Sequence, residues 1–210
     1  MYLTNEWYFF PSAIDKKTCN KIKSLGKDAF KPANVDKKQR ITDEERKAVK
    51  SKAFGEDSSI RISDTSWTSD QWVIDLVWPY MLRANKEAGW NFDIKSVEEM
   101  QIAKYKSGGF YGWHKDGGAD SLSVYNSPDN KFRHGNGRKL SMSVLLNDGY
   151  KGGEFQFCTY SKQENSVDAP DFNSVGSIIV FPSFMEHRVT PVTKGIRYSL
   201  VAWFLGPPFK

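Results

Sequence analysis

The chain of 210 residues is 39% hydrophobic and 14% aromatic, which suits one domain with a sizeable core and excludes an intrinsically disordered chain. Its 30 basic and 25 acidic residues give a net charge of +5 and are scattered without long runs of one sign, so nothing indicates a nucleic-acid partner. Cys19 and Cys158 lack metal-ligand spacing and are too few for a disulfide framework, which favours a reducing, cytoplasmic location. We expect no signal peptide and no membrane span, because the apolar N-terminus is short and contains Glu6.

The first predicted elements are a strand and a helix near the N-terminus. Residues 2–10 alternate and are rich in aromatic side chains, which is typical of an edge strand. A helix is predicted over residues 14–25. Asp15 or Ser12 can cap its start, and Gly26 can end it.

A charged segment and a second helix follow. Residues 27–59 contain few apolar side chains, which favours a solvated surface with a short helix at 43–50; a lid over a site is the alternative. A short strand is predicted at 60–67. Residues 69–88 carry an apolar stripe of helical period, and Pro79 should kink this helix or split it.

From residue 98 onward the pattern changes to short β-branched and aromatic segments separated by Gly, Pro, Asn and Asp. Short strands without intervening helices favour an antiparallel sandwich or jelly roll over a parallel sheet. The predicted strands are 98–106, 109–116, 139–147, 153–158, 176–182, 187–193 and 195–204.

These elements predict an α+β, mainly β fold built on a double-stranded β-helix, or jelly roll, with supporting N-terminal helices. We expect a single domain over 1–210, in which 1–97 packs on a jelly-roll core at 98–206.

Candidate metal ligands lie in the stretch 101–120, QIAKYKSGGFYGWHKDGGAD. His114 and Asp116 are two residues apart, so in an extended strand their side chains share a face and can reach one point. Together they supply two of the three ligands of a 2-His-1-carboxylate facial triad, which leaves three positions open on Fe(II). Two other histidines exist. His187, beside apolar strands, is the favoured third ligand, and His134, in a glycine-flanked loop, is the alternative.

Two long polar connections, 117–138 and 159–175, interrupt the strands. Loops of this length in a compact domain are usually functional or disordered. The first follows the candidate ligands directly, so we expect it to cover a substrate, whereas the second is expected to be a surface loop.

Arg197 lies ten residues after His187, inside the apolar strand GIRYSLVAWF. Alternation places Ser199, Val201 and Trp203 on its face of the strand. A buried arginine is costly unless it meets an anion, and its planar fork suits a carboxylate. A structural ion pair with a core Asp or Glu is one interpretation. Beside a facial triad, an anionic co-substrate is favoured.

Taken together, Tyr105, FYGWHKD, GGEF and FPSFMEHRVTPVTKGIRYSLVAWF resemble the Fe(II)/2-oxoglutarate-dependent oxygenases. Within them the chain is similar to the prolyl 4-hydroxylase-like branch, including bacterial and phage hydroxylases that end in H-R-V-T-P-V-x-x-G-x-R. The resemblance covers about residues 98–206, with an echo at Arg61-Ile62-Ser63. It implies that Fe(II) is held by the three residues His114, Asp116 and His187, that 2-oxoglutarate and O2 are co-substrates, and that ascorbate is a further ligand.

The resemblance also assigns co-substrate roles. It implies that Arg197 pairs with the distal carboxylate of 2-oxoglutarate and that Tyr105 donates to the same group. Further pocket-lining positions are Thr190, Ser143 and Ser141. The family often has lysine where this chain has Arg197, and arginine preserves the charge. Related halogenases replace the carboxylate ligand with a small residue, so Asp116 favours hydroxylation.

Peptide-contacting positions of prolyl hydroxylases match four residues of this chain, namely Tyr111, Trp203, Arg61 and Ser63. Simple alternation points Tyr111 away from His114, so its role requires a β-bulge.

The resemblance therefore predicts a dioxygenase that hydroxylates a C–H bond, with peptidyl-proline at C4 as the favoured substrate and succinate and CO2 as products. The alternatives are a free amino acid or small molecule as substrate, and a non-catalytic, cupin-like metal-binding module. A nucleic-acid demethylase is least favoured. An open groove would favour the peptide and a closed pocket the small molecule. We expect a monomer in the cytoplasm (that of the host if the chain is phage-encoded), with no nucleic-acid or membrane partner.

Overall fold

The computed structural model describes residues 5–33, 61–118, 124–158 and 172–209, together with the backbone of residues 167–168. The helix predicted at 43–50 lies outside these ranges, as do most of the charged segment 27–59 and parts of both long loops.

Two α-helices lie in the described residues. Helix α1, Lys16–Leu25, starts after Asp15, whose carboxylate accepts hydrogen bonds from the Thr18 backbone N–H at 2.9 Å and the Thr18 hydroxyl at 2.6 Å. Helix α2, Gln71–Glu87, continues through Pro79, so the predicted split does not occur. Neither is long and apolar enough to cross a membrane.

The strands are short and mostly follow the predicted order. They are β1 Tyr8–Phe10, β2 Lys31–Pro32, β3 Arg61–Ile62, β4 Asp64–Thr68, β5 Ser96–Val97, β6 Met100–Tyr105, β7 Phe110–His114, β8 Gly137–Leu145, β9 Lys151–Gly152, β10 Phe155–Phe157, β11 Val167–Asp168, β12 Ile178–Pro182, β13 His187–Val189, β14 Val192–Lys194 and β15 Arg197–Gly206. The predicted strand 187–193 is divided into β13 and β14. The two-residue strands β2, β5, β9 and β11 are too short to produce an alternating pattern, and the sequence does not predict them.

These strands form two antiparallel sheets and a short strand pair. The larger sheet has the order β1-β12-β8-β15-β6-β4-β2, with β5 beside β15. The smaller sheet has the order β11-β10-β13-β7-β3, and β14 pairs with β9. Strands distant in the chain are therefore neighbours, as in β15 between β8 and β6. This is the predicted mainly β jelly roll.

Alternation along β15 divides its side chains between two sides of the larger sheet. Leu200, Ala202 and Phe204 pack in one core with residues of α1 and α2. Ser199 and Trp203 instead line a cavity together with side chains of the smaller sheet. The helices therefore close one face of the larger sheet, and the smaller sheet covers the other.

We expect Gly176→Ala to lower the free energy of unfolding by about 1–3 kcal/mol more than Gly135→Ala. Both glycines have positive φ, +77° and +73°, so both variants share the backbone strain of a left-handed residue. A Cβ at Gly176 would lie 1.7 Å from the carbonyl oxygen of Ile14, whereas a Cβ at Gly135 would meet nothing within 4 Å. Urea unfolding of the two variants measures the difference, and equal losses would contradict the steric argument.

Candidate metal centre

A β-bulge in β7 shapes the centre of the site. His114 pairs with His187 and Tyr111 pairs with Val189, so three steps along β7 match two steps along β13. The extra residue returns Tyr111 to the face of His114, and the two rings stack with centroids 3.5 Å apart. The bulge that the role of Tyr111 requires is therefore present.

The three candidate ligands meet at one point. Asp116 Oδ1 lies 3.7 Å from His114 Nε2, and Asp116 Oδ2 lies 3.5 Å from His187 Nε2. One ligand atom from each residue falls within 4.8 Å of the others. His134, the alternative third histidine, is exposed and bridges to Tyr125 instead.

Backbone carbonyls orient both imidazoles. His114 Nδ1 is 2.8 Å from Gly112 O, and His187 Nδ1 is 2.9 Å from Met185 O. A carbonyl oxygen only accepts, so each Nδ1 carries the proton and donates. The lone pair on each Nε2 then points at the common site, as in metal-bound histidines.

The donor set fits Fe(II). Asp116 Oδ2 is buried and has no hydrogen-bond partner, and such an atom is costly unless a ligand satisfies it. Two imidazole nitrogens and one carboxylate form the facial set of non-haem Fe(II) oxygenases. Within the described parts of the chain, no other cluster of three His, Cys, Asp or Glu side chains could hold a metal.

The protonation states also suit metal binding. Burial, helped by the charge of His187, lowers the pKa of His114 to about 3. Burial alone would raise the pKa of Asp116, but His187, His114, Arg138 and a hydrogen bond from Ser141 together hold it below its ordinary value. A neutral histidine and an ionised carboxylate are the forms that bind a metal.

Hydrogen bonds hold the backbone around Asp116 from both sides. The backbone N–H groups of Asp116 and Gly117 donate to Ser183 O at 3.0 and 2.9 Å. Arg138 Nη1 donates to Asp116 O at 3.2 Å, while its Nε and Nη2 donate to Glu98. Sequence reasoning missed Arg138 and Glu98. A signal was present for Arg138, because it stands at the start of an apolar strand as Arg197 does.

Arg197 is 1% exposed and incompletely paired. Its Nη1 donates to Ser199 Oγ at 3.0 Å, but Nε and Nη2 are buried without a partner. No carboxylate of the described residues forms a salt bridge with it, so the alternative of a structural ion pair finds no support there. The guanidinium lies 5.6 Å from the ring of Tyr105, its neighbour on β6. Two unpaired N–H donors in one plane suit a carboxylate.

A cavity between the sheets joins the metal ligands to several of the predicted pocket residues. Ser199 lines it and links it to Arg197. Ser143 is among the residues that line the cavity. Ser141 instead bonds Ser183 Oγ at 2.9 Å and Thr190 Oγ1 accepts from the Glu154 N–H at 2.9 Å, and neither residue lines the cavity. The lining includes Gln101, Tyr105, Tyr111, His114, Asp116, Ser143, Phe155, Phe181, His187, Val189, Ser199, Val201 and Trp203.

A polar network reaches the edge of this cavity. Arg61 donates to Ser63 Oγ and to Gln101 Oε1, both at 2.7 Å, and its guanidinium lies 4.5 Å from the ring centroid of Tyr111. Burial raises the pKa of Tyr111 to about 12, so its hydroxyl is neutral. The structure thus brings three of the four predicted peptide-contacting residues together, and Trp203 lines the cavity across from them.

A His-Asp-His cluster of this kind is the ligand set found in non-haem Fe(II) oxygenases, and here an antiparallel jelly roll encloses it. The family model of the 2OG-Fe(II) oxygenase superfamily matches residues 100–205, just over half of the sequence, and the chain belongs to this superfamily. Members of this superfamily use Fe(II), 2-oxoglutarate and O2, and His114, Asp116 and His187 form a cluster that could hold the metal.

The chain is similar to several individual hydroxylases. A PKHD-type hydroxylase of Synechococcus sp. (strain CC9605) is 29% identical over 112 residues, which are 52% of this chain but only 43% of the relative. A prolyl-4-hydroxylase of Pseudomonas putida has a similar structure, with a TM-score of 0.62, 18% identity and coverage of 99% of this chain and 95% of the other. A prolyl hydroxylase of Trichoplax adhaerens, solved with a peptide fragment of hypoxia inducible factor, is also similar in structure. Its TM-score is 0.65 at 15% identity, and the match covers 96% of this chain and 84% of the other.

Acidification should destabilise the metal-free protein through His114. Its folded-state pKa of about 3 lies below its ordinary 6.5, so between these values the unfolded chain binds a proton that the folded chain does not. Stability is therefore complete above pH 6.5 and falls with decreasing pH by about 1 kcal/mol per unit toward pH 4. Urea unfolding at several pH values measures the slope, and His114→Gln should make it shallower. An equal slope in the variant would refute this assignment.

Two buried arginines should respond oppositely to replacement by methionine. Arg197→Met removes an unpaired buried charge, so the metal-free protein should keep or gain stability. Arg138→Met leaves Glu98 buried and should cost about 3 kcal/mol. Urea unfolding compares the two variants. Binding of 2-oxoglutarate to the metal-loaded protein without oxygen should weaken by about 2–3 kcal/mol in Arg197→Met. A large loss of stability in Arg197→Met would instead indicate a structural ion pair.

Proposed function

We propose that the protein hydroxylates a prolyl residue of a peptide or protein at C4, with conversion of 2-oxoglutarate and O2 to succinate and CO2. One oxygen atom enters the C–H bond of the substrate and the other enters succinate. The observation that carries this proposal is that Arg197, with two unpaired N–H groups, lies buried beside the cavity that holds the His-Asp-His cluster.

The residues divide the work between them. His114, Asp116 and His187 would hold the Fe(II), which when bound supplies the oxidising chemistry by activating O2 with electrons from 2-oxoglutarate. Arg197 would bind the distal carboxylate of 2-oxoglutarate through Nε and Nη2, which fixes the direction in which the co-substrate points.

The cavity walls would exclude water from the reaction. Phe155 and Phe181 pack beside His187, with ring centroids 5.4 and 4.7 Å from the imidazole. Tyr105 would place its hydroxyl near the distal carboxylate, and Ser143 would line the same pocket. An apolar wall strengthens the interaction of Arg197 with its anion, because less water competes for the donors.

An open groove beside the cavity supports a peptide over a small molecule. It has a volume of about 1100 Å³ and is lined in part by Trp67, Trp78 and Phe132. Trp67 is 48% exposed and Phe132 60% exposed. Trp67 also contacts Trp203, a cavity residue, with ring centroids 6.0 Å apart. Exposed aromatic side chains that continue from a reaction cavity suit an extended chain that passes over it.

The prolyl substrate is supported by the structural relatives. One is a prolyl-4-hydroxylase and another a prolyl hydroxylase solved with a peptide. By the same likeness, Tyr111, Arg61, Ser63 and Trp203 would contact the residue that is hydroxylated. The bulge in β7 stacks Tyr111 on His114, which supports a contact between Tyr111 and a substrate residue beside the metal.

The test is peptide-dependent turnover. Purified protein with Fe(II), 2-oxoglutarate and ascorbate under air is incubated with proline-containing peptides and with matched peptides that carry alanine instead. With the proline-containing peptides we expect succinate to form in proportion to a mass gain of one oxygen atom on the peptide. The alanine peptides should give neither signal. His187→Ala and Arg197→Met should abolish both signals, because they remove a metal ligand and the co-substrate anchor.

Arg83→Met is the matched control. Arg83 is an exposed residue of α2 that pairs with Glu87, remote from the cavity, so this variant should keep full turnover. Hydroxylation of free amino acids without any peptide reaction would contradict the peptide substrate. Stoichiometric Fe(II) binding without any turnover of 2-oxoglutarate would overturn the enzymatic function and favour a metal-binding module.

A further inference from the structure

Glu98 is an acidic side chain outside the ligand set with an unusual number of cationic partners. Its side chain is 8% exposed. Oε2 accepts from Arg138 Nη2 at 2.7 Å, and Oε1 accepts from Arg138 Nε at 3.2 Å. Arg133 Nη2 lies a further 3.8 Å from Oε1. A two-point fork of this kind fixes the orientation of the guanidinium as well as its position.

The fork determines where the third nitrogen of Arg138 points. Because the guanidinium is planar, binding Nε and Nη2 to one carboxylate leaves Nη1 with a fixed direction. That nitrogen donates to the backbone carbonyl of Asp116 at 3.2 Å. Glu98 is thereby connected to a metal-ligand residue through a single rigid group.

Glu98 itself is well anchored. Its backbone N–H donates to the carbonyl of Trp203 at 2.9 Å, which ties it to β15 of the larger sheet. The Arg138 guanidinium lies 4.1 Å from the ring centroid of Trp203, so the same pair also contacts a cavity wall. Through these contacts, Glu98 fixes the segment that carries Asp116 relative to the larger sheet.

The loop that follows Asp116 returns to the same carboxylate. Arg133, near the end of this loop, stacks on Tyr125 with its guanidinium 4.1 Å from the ring centroid. Burial and the neighbouring Glu98 raise the pKa of Tyr125. Arg138 stands directly after the loop. Glu98 therefore meets the loop near its end and, through Arg138, at its start.

We propose that Glu98 is a positioning residue of the metal centre, which holds Asp116 in register through Arg138. The role rests on the proposed metal function of the His-Asp-His cluster. Its chemistry is that of a carboxylate outside the ligand set that orients a ligand inside it, and loss of such a partner typically weakens metal binding about tenfold or more.

The experiment compares neighbouring glutamates. Metal-free Glu98→Gln and Glu99→Gln are titrated with Mn(II), and free Mn(II) is followed by its electron paramagnetic resonance signal. Glu99 is exposed and one position along the chain, so its variant should bind Mn(II) as the unsubstituted protein does. Glu98→Gln should bind about tenfold more weakly, because a neutral amide cannot accept both arms of the fork. Circular dichroism confirms that each sample is folded.

The affinity for Mn(II) distinguishes a positioning role of Glu98 from a role in stability alone. A substitution that lowers only the free energy of unfolding leaves the metal affinity of the folded molecules unchanged. Arg138→Lys is the second variant, because it keeps the buried charges balanced while its single ammonium cannot span Glu98 and the Asp116 carbonyl. It should also weaken Mn(II) binding about tenfold.

The outcomes distinguish this inference from the proposed function. Normal Mn(II) affinity in folded Glu98→Gln, or in Arg138→Lys, would overturn the positioning role and leave the metal centre intact. Failure of the unsubstituted protein to bind Mn(II) would overturn the metal centre and the role of Glu98 together.

Discussion

The pairing of β7 with β13 is the constraint on which the site depends. It sets His114 opposite His187, although 72 residues of chain separate them. The bulge in the same pair then decides which other side chains face the metal ligands. A regular ladder would send Tyr111 to the opposite side of the sheet, whereas the extra residue stacks it on His114. The strand pairing therefore brings the two histidines together, and one local irregularity completes the wall beside them.

Buried charge is the second organising theme. The space around the site contains Asp116, Arg138 and Arg197, each of which loses much hydration on folding. Arg138 recovers this cost inside the protein, since Glu98 and a backbone carbonyl satisfy its donors. Asp116 and Arg197 keep unsatisfied atoms. The contrast separates a group that supports the architecture from groups that are arranged to receive ligands, and here the receiving groups have opposite charges and so suit a cation and an anion.

The alternation of side chains along predicted strands was sufficient to predict part of the site. It predicts that His114 and Asp116 share a point and that Ser199 and Trp203 share the face of Arg197. The run of short strands without intervening helices after residue 98 predicts the antiparallel jelly roll. The Glu98–Arg138 pair could not be predicted, because it joins residues 40 positions apart and no pattern marks Glu98 as the partner of Arg138. The bulge at β7 is visible only as a conflict between alternation and the role of Tyr111. Helix α2 is not split at Pro79, since packing of the helix on the sheet overrides a local preference.

The hydrogen bond from Arg138 to the Asp116 carbonyl joins the two ends of the loop after Asp116, and this has an evolutionary consequence. Since Arg138 meets the carbonyl of Asp116, the two ends of this loop are tied together independently of what lies between them. Insertions, deletions or changes of composition within the loop can therefore accumulate without displacing the carboxylate ligand. A lineage that carries this arrangement can vary the sequence of the loop while the position of the Asp116 carboxylate stays the same.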